Sequence, residues 1–62
     1  MNTEMILKDF QEILEHEKRA KYFYDHYIDQ VDDGAVKKVL VSIRDEEVGH
    51  IKIAEKLITY MI

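Results

Sequence analysis

The sequence predicts an all-α protein in the form of an antiparallel two-helix hairpin. Apolar residues recur at alternating steps of three and four, which is the period of one face of an α-helix. A single cluster of turn-forming residues, at positions 32–34, divides the chain into two long halves that contain no Pro. We therefore expect one domain, residues 1–62, with helix 1 at about 3–31 and helix 2 at about 34–62.

The first helix is expected to begin at about Thr3. Asn2 or Thr3 can cap it, because a side-chain oxygen there accepts a hydrogen bond from a free backbone N–H group. Glu4 in the first turn suits the positive end of the helix dipole. The periodic stripe of this helix consists of Phe10, Ile13, Glu17, Ala20, Tyr24, Tyr27 and Val31.

The second helix is expected to follow directly after the turn. Asp32 or Asp33 can cap its N-terminus, and Gly34 offers an alternative role as a left-handed residue that ends helix 1. Its stripe consists of Val36, Leu40, Ile43, Glu47, His50, Ala54, Leu57 and Met61. So short a connection makes the two helices antiparallel neighbours. Both stripes are apolar at their ends and ionisable at their centres.

The distribution of apolar residues on helix 2 predicts an oligomer. Outside the stripe, helix 2 carries further apolar residues on both sides: Val39, Val41, Val48, Ile51, Ile53, Ile58, Tyr60 and Ile62. A helix that is apolar around so much of its circumference is normally enclosed by several neighbours. A chain of 62 residues is also marginally stable alone, and it has no Cys for disulfides. We expect a homodimer in which two hairpins form a four-helix bundle, with a ring of dimers as a larger alternative.

The centres of the two stripes predict a metal site. Glu47 and His50 are three residues apart and share one helix face. Glu17 lies 17 residues before Gly34, while Glu47 and His50 lie 13 and 16 residues after it, so all three reach similar heights in the hairpin. Two copies would supply four carboxylates and two histidines, as in di-iron carboxylate proteins. Such donors suit iron, with manganese as the alternative, better than structural zinc.

Three short segments carry a resemblance to a known family. They are Arg44 to His50, Glu17-x-x-Ala20, and Tyr22-Phe23-Tyr24. Over about residues 12–57 the chain resembles the ferritin-like superfamily, in particular its rubrerythrin-like branch. A single hairpin with half a site is most similar to encapsulated ferritins, whose short chains pair to complete a ferroxidase centre.

The resemblance implies a fold, a reaction and a set of residues. The fold is a hairpin that dimerises into a ferritin-like four-helix bundle, with two iron ions per dimer bridging the subunits. Glu17, Glu47 and His50 are the implied iron ligands, and Tyr24 is implied to lie near the metal as a fourth catalytic residue. The implied activity is oxidation of Fe(II) to Fe(III), in iron storage or detoxification.

Composition and the resemblance also bear on partners and location. The chain is acidic, with 13 Asp and Glu against 9 Lys and Arg, and it has no basic patch, so we expect no nucleic-acid partner. No apolar run approaches a membrane span or a signal peptide, which favours the cytoplasm. The resemblance adds an encapsulating protein shell, and thus a nanocompartment, as an alternative, although the sequence ends at Ile62 without the extension that directs such proteins into a shell.

Three other interpretations of the same residues stay open. The buried Glu and His residues can specify the register of a non-catalytic helical oligomerisation module. A di-iron centre can instead reduce peroxide, as rubrerythrins do, given an external reductant. Glu17 can also be an ordinary surface residue that pairs with Lys18 or Lys21.

Overall fold

The computed structural model describes residues 2–62, and over that range the protein is two α-helices joined by a three-residue connection. Helix α1 spans Thr3–Gln30 and helix α2 spans Gly34–Met61. They pack side by side into a rod of 48 × 14 × 14 Å. The predicted all-α hairpin is confirmed, and the predicted ends of both helices agree with the observed ends to within one residue.

Asn2 caps α1. Its side-chain oxygen accepts hydrogen bonds from the backbone N–H groups of Glu4 and Met5, at 3.0 and 3.3 Å. The helix ends where Val31 adopts an extended backbone, although the Val31 N–H still donates to the Tyr27 carbonyl oxygen at 3.0 Å. Of the two predicted caps, Asn2 therefore has this role and Thr3 is the first helical residue.

Asp33 caps α2. Its carboxylate accepts hydrogen bonds from the N–H groups of Ala35 and Val36, at 2.9 and 3.0 Å. Gly34 is the first residue of α2, and no residue in the described range has a positive φ angle. The alternative role of Gly34 as a left-handed helix end is therefore wrong. The chain reverses through extended backbone at Val31 and Asp33 instead.

The two helices pack against each other, and we use the term seam for the half-buried residues, with the buried Ala54, that recur on each helix at alternating steps of three and four. On α1 the seam consists of Leu7, Phe10, Leu14, Glu17, Lys21, Tyr24 and Ile28. On α2 it consists of Leu40, Arg44, Glu47, Ile51, Ala54, Ile58 and Met61. Both predicted stripes share residues with this seam, and each includes one of its two central carboxylates, Glu17 on α1 and Glu47 on α2.

Part of each predicted stripe lies outside the seam, which corrects the predicted contacts within the hairpin. Ile13 and Tyr27 are 47% and 52% exposed, and Leu14 and Ile28 are half-buried in their place. The stripe residues Val36, His50 and Leu57 of α2 are exposed as well. The physical reason is that the apolar arc of each helix is wider than one neighbouring helix can cover.

The uncovered part of the two arcs forms one surface, which we call the open face. It carries the exposed apolar residues Ile13, Ile53 and Leu57, which line one groove. Ala54, at 7% exposure, is the one buried apolar residue of the described chain. Neither helix, over residues 2–62, contains a stretch both long enough and apolar enough to span a lipid bilayer.

Candidate metal centre

The hairpin brings the three predicted metal ligands to one point. Glu17 lies at the middle of α1, and Glu47 and His50 lie one turn apart on α2. Because the helices run antiparallel, one ligand atom from each of the three side chains lies within 4.8 Å of the others. Glu17 Oε2 lies 3.5 Å from His50 Nδ1.

The Glu47 carboxylate is the most constrained member of the group. Its Oε2 atom is buried and has no hydrogen-bond donor. A hydrogen bond between the carboxyl groups of Glu17 and Glu47 can form only when one of them carries a proton. This hydrogen bond raises the pKa of Glu47. Burial and the negative charge of Glu17 raise the pKa further, while His50 acts in the opposite direction. The site therefore disfavours two ionised carboxylates unless a cation joins them.

The group opens onto a groove in the open face. This groove, about 200 Å³ in volume, has mostly apolar walls and is lined by Phe10, Ile13, Glu17, His50, Ile53, Ala54 and Leu57. The His50 side chain is 54% exposed and that of Glu17 is 24% exposed. Glu17 and His50 therefore line the groove at the edge of the hairpin, where a further molecule can reach them.

The donor set fits a divalent metal ion. Two carboxylates and one imidazole are ligands that iron and manganese accept, and a metal bound there would satisfy the buried Glu47 oxygen. Three protein donors are fewer than the six positions of an octahedral ion. The hairpin alone therefore provides part of a coordination shell.

A second polar cluster lies beside the metal group, and its pairing was not expected from the sequence. Asp25 accepts a hydrogen bond from Lys21 Nζ at 2.7 Å and another from Arg44 Nη1 at 2.8 Å. Arg44 Nε also donates to Asp45 at 2.9 Å. The four-residue spacing of Lys21 and Asp25 was the available sequence signal. The alternative in which Lys21 pairs with Glu17 is not the arrangement observed.

Tyr24 is not part of the group that the hairpin brings together. It is half-buried in the seam, seven residues or about 10 Å of helix rise from Glu17. It does not line the groove described above. A place for Tyr24 near a bound metal stays a prediction.

Comparisons with known proteins do not assign the chain. No protein-family model matches it, and no similar protein was found among the curated sequences or the solved structures. The proposal for its function therefore rests on the chemistry of the site and on the resemblance seen in the sequence.

Proposed function

We propose that two copies of this chain form a ferritin-like four-helix bundle that binds two iron ions in a shared carboxylate site and oxidises Fe(II) to Fe(III). One observation carries the proposal: Glu17, Glu47 and His50 converge within 4.8 Å, and a buried Glu47 oxygen lacks any donor. Unpaired carboxylates are rarely kept in an apolar setting, because an uncompensated charge there is costly.

A cation explains the convergence better than protonation does. Two carboxylates that meet at short range need either a shared proton or a positive charge between them. His50 is the one basic side chain of the described residues within ion-pair distance of Glu17, and it is more than half exposed. A divalent metal would neutralise both carboxylates and use the imidazole as a third ligand. Its binding would also displace any proton that Glu17 and Glu47 share.

The open face supports a second copy as the source of the missing ligands. In a four-helix bundle each helix has two neighbours, so its apolar arc points between them. The apolar arc of each helix in the hairpin extends in this way beyond the seam. One side of the arc lies in the seam, and the other side carries exposed residues such as Ile13 on α1 and Leu57 on α2. A two-fold axis through the groove would bring two sets of Glu17, Glu47 and His50 together.

The proposed roles follow from position. Glu17, Glu47 and His50 would hold the iron, and two Fe(II) ions would give up one electron each, which with two protons from solvent would reduce dioxygen to hydrogen peroxide or peroxide to water. The apolar groove walls, Phe10 and Leu57 among them, would exclude water from the site once a second copy covers them. Manganese suits the same donors, and the choice of iron follows from the resemblance.

Aerobic titration with Fe(II), followed by ferric absorbance, tests the proposal. We expect oxidation well above the buffer rate for the wild type and a loss of this excess in Glu47→Ala. Glu46→Ala is the matched control, because Glu46 is the adjacent carboxylate but is exposed and lies outside the ligand group. Oxidation at the buffer rate in the wild type, or undiminished oxidation in Glu47→Ala, would contradict the proposal.

A further inference from the structure

We propose that Asp25 is a positioning residue that holds Lys21 and Arg44 away from Glu17 and Glu47, and so keeps both carboxylates free to bind a metal. This inference rests on the proposed function, because it concerns access of the metal to the same ligands. Asp25 itself is not one of the ligands.

Asp25 engages the two cations through separate oxygen atoms. Its Oδ2 lies 2.7 Å from Lys21 Nζ, and its Oδ1 lies 2.8 Å from Arg44 Nη1. Lys21 and Asp25 are on the same helix, whereas Arg44 reaches across from α2. Asp45 holds the other side of the guanidinium group, at 2.9 Å from Nε. Both cations are therefore paired with Asp25, which is not one of the metal ligands.

Both cations have a metal-ligand carboxylate at the spacing that normally produces an ion pair. Lys21 is four residues after Glu17, and Arg44 is three residues before Glu47. In helices, a Glu that precedes Lys by four residues pairs more favourably than the reverse order. The structure nevertheless has the reverse order, since Lys21 pairs with Asp25. Over residues 2–62, neither cation forms an ion pair with Glu17 or Glu47.

The charge state of Asp25 agrees with its pairing to Lys21 and Arg44. Hydrogen bonds from Lys21, and then from Arg44, lower the pKa of Asp25, so Asp25 stays ionised at neutral pH and keeps both partners. Among the described residues, His50 is the basic group within ion-pair distance of Glu17, and Glu47 forms no ion pair. A guanidinium or ammonium group that moved to these carboxylates would neutralise them and compete with a metal.

Anaerobic calorimetric titration of the full chain with Fe(II) tests the inference. We expect Asp25→Asn to bind Fe(II) about tenfold more weakly, the lower end of the effect that a cation within a few ångströms has on a carboxylate. The triple variant Asp25→Asn, Lys21→Gln, Arg44→Gln should regain wild-type affinity, because the competing cations are gone. Asp29→Asn is the matched control: Asp29 is an exposed Asp of the same helix, and no ion pair of the described residues involves it.

The triple variant separates positioning from stability. It lacks both ion pairs that Asp25→Asn lacks and also the pair of Arg44 with Asp45, so a purely structural role would leave it at least as impaired as the single variant. Partly exposed ion pairs contribute little to stability, so both variants should fold, which circular dichroism can verify. Wild-type affinity in Asp25→Asn, or a triple variant as weak as the single one, would overturn the inference alone. A wild type that binds no Fe(II) would overturn the proposed function and this inference with it.

Discussion

Glu47 combines two properties that are costly together: a buried carboxylate oxygen without a donor, and a second carboxylate, that of Glu17, close beside it. In the absence of metal these properties destabilise the folded chain whenever both groups are ionised. In the presence of a cation the same properties provide binding energy. If the proposed metal binds, Glu47 is therefore the residue at which metal binding and folding stability would be coupled.

This coupling predicts a pH dependence of the metal-free protein. The folded-state pKa of Glu47 is raised above its ordinary value of 4.5, so ionisation costs more in the folded than in the unfolded state. The cost is absent below pH 4.5 and grows as the pH rises through the raised pKa. Glu47→Gln should therefore gain stability relative to wild type from acidic to neutral pH. Urea denaturation with a chelator measures this difference.

The comparison isolates Glu47 from the other shifted carboxylate. Asp25 has a lowered pKa, so its contribution to stability is present above its ordinary value of 3.8 and is lost as the pH falls through the lowered pKa. That contribution is the same in the wild type and in Glu47→Gln. Parallel stability profiles of the two proteins between acidic and neutral pH would show that Glu47 is not strained in the metal-free state.

At this scale the sequence predicts which residues meet but not which ion pairs form. The sequence was enough to predict that Glu17, Glu47 and His50 meet, because the number of residues from a short turn fixes their heights in an antiparallel pair of helices. The pairing of Lys21 could not be predicted in this way. Lys21 has one acidic residue four positions before it and another four positions after it, and spacing alone does not choose between them.

Each helix is defined by a polar cap at its N-terminus and by the seam that it shares with the other helix. Asp33 both caps α2 and ends the connection, so the position of the turn depends on one carboxylate. The position of the turn fixes the register between the two helices, and this register determines which residue of α1 lies opposite Glu47. Loss of the cap would therefore disturb the arrangement of Glu17, Glu47 and His50 as well as the turn.

Replacement of Asp33 tests the role of the cap. Loss of an N-terminal Asp cap typically costs about 1 kcal/mol, so we expect Asp33→Ala to lower the free energy of unfolding by about that amount. Asp32→Ala is the matched control, because Asp32 is the adjacent exposed Asp and does not cap the helix. Urea denaturation should show the loss in Asp33→Ala only. An equal loss in both variants would mean that negative charge, rather than capping, is what matters.

The helix ends could be predicted from the sequence because caps and turn residues are local signals. The rotation of each helix about its axis could not, since the three-and-four period identifies an apolar arc without saying which part of it the neighbour covers. Ile13 and Leu14 illustrate the ambiguity: both are apolar, they are adjacent in the chain, and only Leu14 belongs to the seam.

The described chain as a whole is a rod of two helices with one buried apolar residue, Ala54. So little burial leaves the single chain a small margin over the conformational entropy that folding costs. The open face is where further burial is available, and the ligand group lies at its edge. The proposed second copy would account for both features. A ring of dimers, an enclosing protein shell and a cytoplasmic location stay predictions.

Substitution on the open face tests this mode of assembly. Leu57→Glu introduces a charge where the proposed dimer buries an apolar side chain, so we expect it to convert dimer to monomer. Tyr22→Glu is the control, because Tyr22 is 68% exposed and shares its heptad position with Lys8, Glu15 and Asp29. Light scattering measures the mass in solution. A Leu57→Glu protein with the wild-type mass would place the interface elsewhere.

The central claim, a metal site completed only by a second copy, is tested most directly by native mass spectrometry of the chain equilibrated anaerobically with Fe(II). For the wild type we expect a dimer that carries two iron ions. For a His50→Ala variant we expect no iron complex, whether dimeric or monomeric. Iron bound to monomers of the wild type, or a wild-type dimer that takes up no iron, would contradict the account.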